Sequence, residues 1–127
     1  MKVTSFYPVF ITDELDPRLV GSFTALGFRQ THTLEFANAK HLTFKNEVGD
    51  RMDIAVSPEF KRFGLPEKKF QMNAVRVNVD DYEEGLAFFR ERGYAVALDF
   101  DVPSAKIAVM EHQEDNNKRV FLFQHKK

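Results

Sequence analysis

The sequence predicts an α+β fold in which two βαβββ modules follow one another along a chain of 127 residues. Three observations predict it. The apolar pattern of the second half repeats that of the first, each half contains one helical segment that ends at a glycine, and the segments around the helices alternate in the period-two pattern of strands. We expect one structural domain, with a first module over residues 1–57, a linker over 58–70 and a second module over 71–127.

The internal repeat aligns apolar residues and glycines of the two halves. When the second half is slid over the first, the aligned pairs are Val9 with Val75, Ile11 with Val77, Val20 with Leu86, Phe23 with Phe89, Gly27 with Gly93 and Phe28 with Tyr94. Further on, Leu42 and Phe44 fall on Ala108 and Met110, and after a short shift Met52 and Ile54 fall on Val120 and Leu122. Matched glycines beside matched aromatic residues indicate that the two halves form the same unit.

The first module begins with residues 3–11, which alternate in period two and predict a strand. Asp16 followed by Pro17 predicts the start of a helix, because aspartate caps the N-terminus and the N–H that proline lacks would have no helical partner there. Gly27 predicts the end of this helix. Three further strands are predicted at 28–36, 41–45 and 51–56, with connections short enough for antiparallel hairpins.

The second module repeats this order of elements. Residues 72–79 predict a strand, the spacing of Asp81 and Glu84 predicts a capped helix start, and Gly93 predicts the helix end. Three further strands are predicted at 94–100, 105–111 and 118–124.

The segment between the modules contains Pro58, Gly64 and Pro66, which is typical of a linker. We interpret its aromatic residues as anchors of the linker, with a lid over a pocket or a dimer contact as the alternatives. These residues are Phe60, Phe63 and Phe70, in a basic context of Lys61, Arg62, Lys68 and Lys69.

The composition excludes several classes of function. The chain has no cysteine, which excludes disulfides, thiolate nucleophiles and cysteine-bound zinc. With 18 basic and 19 acidic side chains the net charge is −1, which provides no field to attract nucleic acid. No apolar run approaches the roughly 18 residues of a membrane span, and no apolar signal segment follows Met1. We therefore expect a cytoplasmic protein that binds neither nucleic acid nor membranes.

The ends of the two helices carry a family resemblance. The closing tripeptides are Leu26-Gly27-Phe28 and Arg92-Gly93-Tyr94. A doubled βαβββ unit with these helix ends resembles the vicinal oxygen chelate superfamily, which includes glyoxalase I, extradiol dioxygenases, fosfomycin-modifying enzymes and bleomycin-resistance proteins. The resemblance implies curled mixed sheets around a shared cavity, and a homodimer. A ferredoxin-like domain, the competing fold, lacks the third strand predicted after each helix.

The metal-dependent members of this superfamily hold their metal on the first and last strands of each half. Strand alignment places the corresponding positions at Phe6 or Tyr7, Asp53, Asn73 or Ala74, and Phe121. Only Asp53 is a suitable ligand, whereas an open catalytic site usually takes about three protein ligands. We therefore expect no metal and no other cofactor. The alternative is a metal site that the fold assembles from His41 and Asp53.

The histidines do not form a metal-binding motif in the sequence. His32 and His41 fall on the second and third predicted strands, His112 in a turn and His125 near the C-terminus. We expect them at solvent-exposed or edge-strand positions.

Strand alternation separates the two faces of the predicted sheets, because side chains two residues apart point the same way. One face is aliphatic and should pack beneath the helix residues Val20, Phe23, Leu86 and Phe89. Its members are Val9, Ile11, Met52, Ile54, Val56, Val75, Val77, Val79, Val120 and Leu122. The opposite face corresponds to the cavity face that the resemblance implies. Its members are Phe6, Pro8, Phe10, Asp53, Ala55, Ala74, Arg76, Asn78, Phe121 and Phe123.

Six residues of this second face are candidate ligand-binding residues, namely Phe6, Phe10, Asp53, Arg76, Phe121 and Phe123. The four phenylalanines would provide flat apolar walls for a planar or hydrophobic ligand. Arg76 would anchor a carboxylate or phosphate, and Asp53 would orient a donor or an amine. The alternative is that the phenylalanines fill the space and Arg76 pairs with Asp53.

The sequence thus predicts a metal-free protein, similar to glyoxalase and to the bleomycin-resistance proteins, that binds a small aromatic or apolar ligand, including anionic ones. Bleomycin-resistance proteins sequester a drug without chemistry, which is the activity that the resemblance implies here. Two alternatives stay open. The first is a metal-dependent lyase, isomerase or dioxygenase, and the second is a non-catalytic interaction domain whose cavity is filled.

Overall fold

The chain forms an α+β fold of two βαβββ modules, as the sequence predicts. The computed structural model describes residues 1–36, 38–63, 71–114 and 118–126. The elements are β1 (Val3–Thr12), α1 (Pro17–Ala25), β2 (Arg29–Phe36), β3 (Ala39–Lys45), β4 (Arg51–Val56), β5 (Gln71–Val79), α2 (Tyr82–Arg90), β6 (Tyr94–Val102), β7 (Ala105–His112) and β8 (Arg119–His125). The segment predicted as a linker includes a 3₁₀ helix, Pro58–Phe63. Among the described residues, no helix is long and apolar enough to cross a membrane.

The chain divides into two compact units. The α1 unit comprises Pro8–Met72, and the α2 unit comprises Met1–Tyr7 together with Asn73–Lys127. Strand β1 therefore contributes its first residues to the α2 unit and its later residues to the α1 unit.

In the α1 unit the strands follow the order β2-β3-β4-β1. Strands β1 and β4 are parallel, and the other neighbours are antiparallel. Helix α1 is capped by Asp16, whose carboxylate accepts a hydrogen bond from the backbone N–H of Arg18 at 2.9 Å. After the helix, Gly27 has a φ of 95°, a left-handed conformation that favours glycine. The helix packs on one face of the sheet in a cluster of Leu19, Leu42, Phe44, Met52 and Ile54.

In the α2 unit the strands follow the order β1-β5-β8-β7-β6. Strands β5 and β8 are parallel, whereas β7 is antiparallel to both of its neighbours, β6 and β8. Helix α2 is capped by Asp81, which accepts a hydrogen bond from the backbone N–H of Glu84 at 3.0 Å. Gly93 follows the helix with a φ of 92°. The helix packs on one face of the sheet in a cluster of Val77, Val79, Tyr82, Leu86, Ala108, Met110, Val120 and Leu122.

The faces of β4, β5 and β8 divide as predicted, but the prediction for β1 is wrong. Register pairs Val9 with Asp53, and paired residues on neighbouring strands share a face. Val9 and Ile11 are fully buried on the face of Asp53, whereas Phe10 packs on the α1 side with its ring centroid 5.0 Å from that of Phe23. The two faces of this strand are both apolar, so the side-chain types do not tell which face meets the helix.

Candidate functional site

The face of the α2-unit sheet that points away from α2 carries the strongest candidate site. We call it the Arg76 face and define it by Ala74, Arg76 and Asn78 on β5 and by Arg119, Phe121, Phe123 and His125 on β8. These residues alternate with the aliphatic residues that pack beneath α2. The parallel register places Arg76 beside Phe121 and Asn78 beside Phe123. Three of the predicted ligand-binding residues, Arg76, Phe121 and Phe123, are thus neighbours on one face.

The guanidinium of Arg76 is buried and held from several sides. The side chain is 5% exposed. Its Cζ lies 3.9 Å from the ring centroid of Phe123 and 5.2 Å from that of Tyr7. Its Nε donates a hydrogen bond to Oδ1 of Asn78 at 2.8 Å, and its Nη2 lies 3.0 Å from Nε2 of His125. Stacking on an aromatic face and hydrogen bonds at two separate nitrogens orient the plane of the group.

The strand pattern explains how these partners reach Arg76. Asn78 lies two residues further along β5 and therefore points the same way. His125 lies two residues beyond Phe123 on the neighbouring strand, and it is solvent-exposed whereas Phe123 is buried. The guanidinium therefore extends from the buried part of the sheet to an exposed histidine at the end of β8.

A second arginine on this face was not singled out by the sequence. The Arg119 side chain is fully buried, and its Nε lies 3.6 Å from Oε2 of Glu111 on β7. Arg119 lies two residues before Phe121 on β8 and therefore points to the same face, and the register pairs it with Ala74 and with Glu111. This spacing of two residues is the sequence signal that could have placed Arg119 on the Arg76 face.

The α1 unit contains a buried pair of polar residues, His41 on β3 and Asp53 on β4. The Nε2–H of His41 donates a hydrogen bond to Oδ2 of Asp53, and the two residues are 4% and 0% exposed. Antiparallel pairing places Asp53 opposite Thr43 and His41 opposite Ala55, so the pair is diagonal across the two strands. The expectation that the histidines are exposed or on edge strands is wrong for His41, because β3 lies between β2 and β4.

Among the described residues at the positions implied for metal binding, only Asp53 has a side chain typical of a metal ligand. A catalytic divalent cation usually takes about three protein ligands, and the described part of the chain contains no group of three histidine, aspartate or glutamate side chains that could hold one. Phe121 and Ala74 are buried apolar residues, and Asp53 is hydrogen-bonded to His41. The side chain of Asn73 lies outside the described residues.

The remaining predicted site residues lie elsewhere. Phe6 points away from its neighbour Tyr7, the residue that contacts Arg76, and it is 67% exposed. Phe10 packs beneath α1, and Asp53 belongs to the α1 unit. The interpretation of the linker phenylalanines is only in part within the described residues. Phe60 is buried, whereas Phe70 and the side chain of Phe63 lie outside them.

Comparison with known proteins identifies the fold. No protein-family model matches the chain, and no curated protein matches it. Among solved structures, methylmalonyl-CoA epimerase from Mycobacterium tuberculosis is similar with a TM-score of 0.71 and 10% identity, over 98% of this chain and 90% of that one. A Streptomyces coelicolor methylmalonyl-CoA epimerase variant in complex with 2-nitronate-propionyl-CoA is similar with a TM-score of 0.64 and 12% identity, over 97% of this chain and 98% of that one. A glyoxalase I variant from Zea mays is similar with a TM-score of 0.62 and 15% identity, over 97% of this chain and 43% of that one.

The class that these similarities define is the vicinal oxygen chelate fold, and the chain has that fold over nearly its whole length. The fold implied by the resemblance of the helix ends is confirmed. Structural similarity at 10 to 15% sequence identity establishes the fold but not an activity, because one fold hosts unrelated activities on different sites.

Proposed function

We propose that the protein binds a small anionic ligand with a planar or apolar body, and that Arg76 is the anchor. The observation that carries the proposal is the orientation of the Arg76 guanidinium, which is stacked on Phe123 and hydrogen-bonded to Asn78. In this proposal the protein holds its ligand without a metal.

The chemistry of the Arg76 face favours a carboxylate. A guanidinium presents parallel N–H groups that match the two oxygens of a carboxylate, and such charge-assisted pairs are about twice as strong as neutral hydrogen bonds. The group is held before a ligand arrives, which lowers the entropic cost of binding. Its Nη2 edge reaches the exposed His125, and this is the direction from which we expect an anion to approach.

Two of the similar structures contain anionic ligands. One of the similar structures is an epimerase in complex with 2-nitronate-propionyl-CoA, and another is an epimerase in complex with methylmalonyl-CoA. Both ligands are anions, so anion binding is compatible with this fold.

The test compares benzoate with benzamide, which has nearly the same shape and no charge. Isothermal titration of the full chain should show binding of benzoate and at least roughly tenfold weaker binding of benzamide, since a hydrogen bond to a charged group contributes about 1.5–3 kcal/mol. Replacement Arg76→Gln should weaken benzoate binding by a similar factor. Arg92→Gln is the matched control, because Arg92 also stacks on a phenylalanine, with its Cζ 3.6 Å from the Phe88 ring centroid, but lies on the surface of the molecule.

Two results would contradict the proposal. One is equal affinity for benzoate and benzamide, and the other is unchanged benzoate affinity in a folded Arg76→Gln protein. Circular dichroism establishes whether the variant is folded. If it is not, Arg76→Lys keeps the charge but loses the planar fork, and it should still weaken benzoate binding several-fold.

The alternative functions predict other results. A metal-dependent lyase, isomerase or dioxygenase requires stoichiometric Zn, Ni, Mn or Fe in protein purified without chelator, and finding it would replace the metal-free proposal. Absence of binding by every aromatic acid in a thermal-shift screen would favour the interaction domain, since a ligand that binds the native state raises the melting temperature. We also propose a homodimer, and sedimentation equilibrium gives the mass that tests it.

A further inference from the structure

The contact between Arg76 and His125 fixes the protonation state of the histidine. Every polar hydrogen of a guanidinium is a donor, and the group has no acceptor. At 3.0 Å from Nη2, the Nε2 atom of His125 must therefore be the acceptor. His125 is thus neutral in this arrangement, with its proton on Nδ1.

We propose that His125 is a second ligand-binding residue and that it takes up one proton when an anion binds to Arg76. The proposal rests on the proposed function. Protonated His125 would direct an N–H at another N–H and place two cations side by side, so the contact with Arg76 must open. A carboxylate placed between the two groups turns this repulsion into attraction, because it accepts one hydrogen bond from Nη2 of Arg76 and another from Nε2–H of protonated His125. The net change is the binding of one anion and of one proton from the solvent, which forms the Nε2–H bond of His125, and no other covalent bond forms or breaks.

The position of His125 permits this movement. His125 is exposed, whereas Phe123 two positions earlier is buried. The ring of His125 can therefore turn without opening the packed part of the sheet. Its pairing partner on β7 is Ala105, whose side chain is small and apolar. In this proposal, rotation of the exposed His125 side chain admits an oxygen between the two nitrogens.

The charged and titratable groups around this pair lie on several strands. Tyr7 of β1 contributes a ring beneath Arg76. Lys126, which follows His125, is ion-paired with Asp101 on β6. Lys106 on β7 is directed to the ring of Tyr82 on α2, at 5.9 Å, and so lies on the opposite face of the sheet. Arg119 and Glu111 share the Arg76 face and are ion-paired with each other. Asp80, directly after β5, accepts a hydrogen bond from the backbone N–H of Lys2. The Arg76 guanidinium lies at hydrogen-bond distance from His125, so a positive charge placed on His125 is repelled by it directly.

The expected result is a coupling between benzoate binding and pH. Histidine changes its charge near pH 6.5, so benzoate, which stays ionised, should bind more tightly as the pH falls from about 7.5 to about 5.5, with a change of up to about tenfold per pH unit for one coupled proton. Titration in buffers with different ionisation enthalpies should show uptake of up to one proton for each benzoate bound.

Two variants separate His125 from the other histidines. The amide oxygen of His125→Gln can accept the hydrogen bond from Arg76 but does not titrate, so this variant should bind benzoate with little dependence on pH and without proton uptake. His32→Gln is the control, because His32 is an exposed histidine on β2 of the α1 unit. Its binding curve should follow that of the unmodified protein at every pH.

A measurement without ligand tests the geometry itself. Nitrogen-15 chemical shifts of the imidazole at neutral pH should show the proton of His125 on Nδ1, the minor tautomer of free histidine, and Arg76→Gln should return it to Nε2. Benzoate binding that is independent of pH in the unmodified protein, or equally dependent on pH in His125→Gln, overturns this inference and leaves the proposed function standing. Absence of benzoate binding at every pH overturns both.

Discussion

The glycine at the centre of α2 provides a test of how closely that helix lies on its sheet. A Cβ atom added at Gly85 would lie 3.0 Å from both methyl carbons of Leu122 and 3.4 Å from Cγ2 of Val79. Carbon atoms pack best at about 3.5–4.0 Å, so the alanine requires either Leu122 or the helix to move. Leu122 is fully buried in the α2 cluster, so its methyl carbons lie among packed side chains.

The magnitude follows from two opposing terms. Replacing glycine by alanine within a helix contributes up to about 1 kcal/mol of stability through helix propensity. Adding a methyl group to a well-packed core costs about 1–3 kcal/mol. We therefore expect Gly85→Ala to lower the free energy of unfolding by about 1 kcal/mol.

Gly21 in α1 is the matched control, since it is also a helix-interior glycine. No atom lies within 4 Å of a Cβ added there, and the residue is exposed. Gly21→Ala should therefore raise the free energy of unfolding by up to about 1 kcal/mol. Urea denaturation followed by circular dichroism measures both changes, and the two variants should differ by roughly 2 kcal/mol.

A double variant isolates the contact with Leu122. Leu122→Val shortens the side chain that meets the new methyl group, so Gly85→Ala should cost less in that background than in the unmodified chain. Equal stabilisation by Gly85→Ala and Gly21→Ala would refute the reasoning, because it would mean that α2 is not in close contact with β8 at Gly85.

Three further predictions concern other parts of the molecule. Asp53→Ala should lower the free energy of unfolding in urea by about 1–3 kcal/mol, because it removes the acceptor of a buried hydrogen bond from His41, and replacing both residues by leucine should cost less. Phe10→Ala should cost about 1–3 kcal/mol in thermal denaturation, whereas Phe6→Ala should change stability by less than about 0.5 kcal/mol since that ring is exposed. Burial raises the pKa of the Tyr82 phenol, so its contribution to stability is complete below the ordinary tyrosine pKa of about 10 and is lost as the pH rises through the raised value. Tyr82→Phe should accordingly lose less stability than the unmodified protein between about pH 9 and pH 12.

Local signals in the sequence were sufficient for the order and type of the elements. Asp16, Asp81, Gly27 and Gly93 act within one or two turns of chain, and the structure shows caps and left-handed glycines at these positions. Such interactions depend on residues that are close in sequence, and they are therefore readable without the fold.

The face of each strand was predictable only where the two faces differ in polarity. On β5, Arg76 and Asn78 alternate with valines, so the assignment was right. On β1, Phe10 alternates with Val9 and Ile11, and both sets are apolar, so hydropathy carried no information about the direction of the helix. The packing of α1 on the sheet decided which face of β1 meets the helix.

The sequence by itself determined the doubled βαβββ order, the helix ends and the neighbourhood of Arg76, Phe121 and Phe123, because these follow from local propensity and strand alternation. The tertiary structure alone decided which polar side chains meet. It brought His125 to Arg76 and His41 to Asp53, and it placed Arg119 beside Glu111. Each of these contacts joins residues of different strands, and its geometry depends on strand order and register, which the spacing of residues along the chain does not contain.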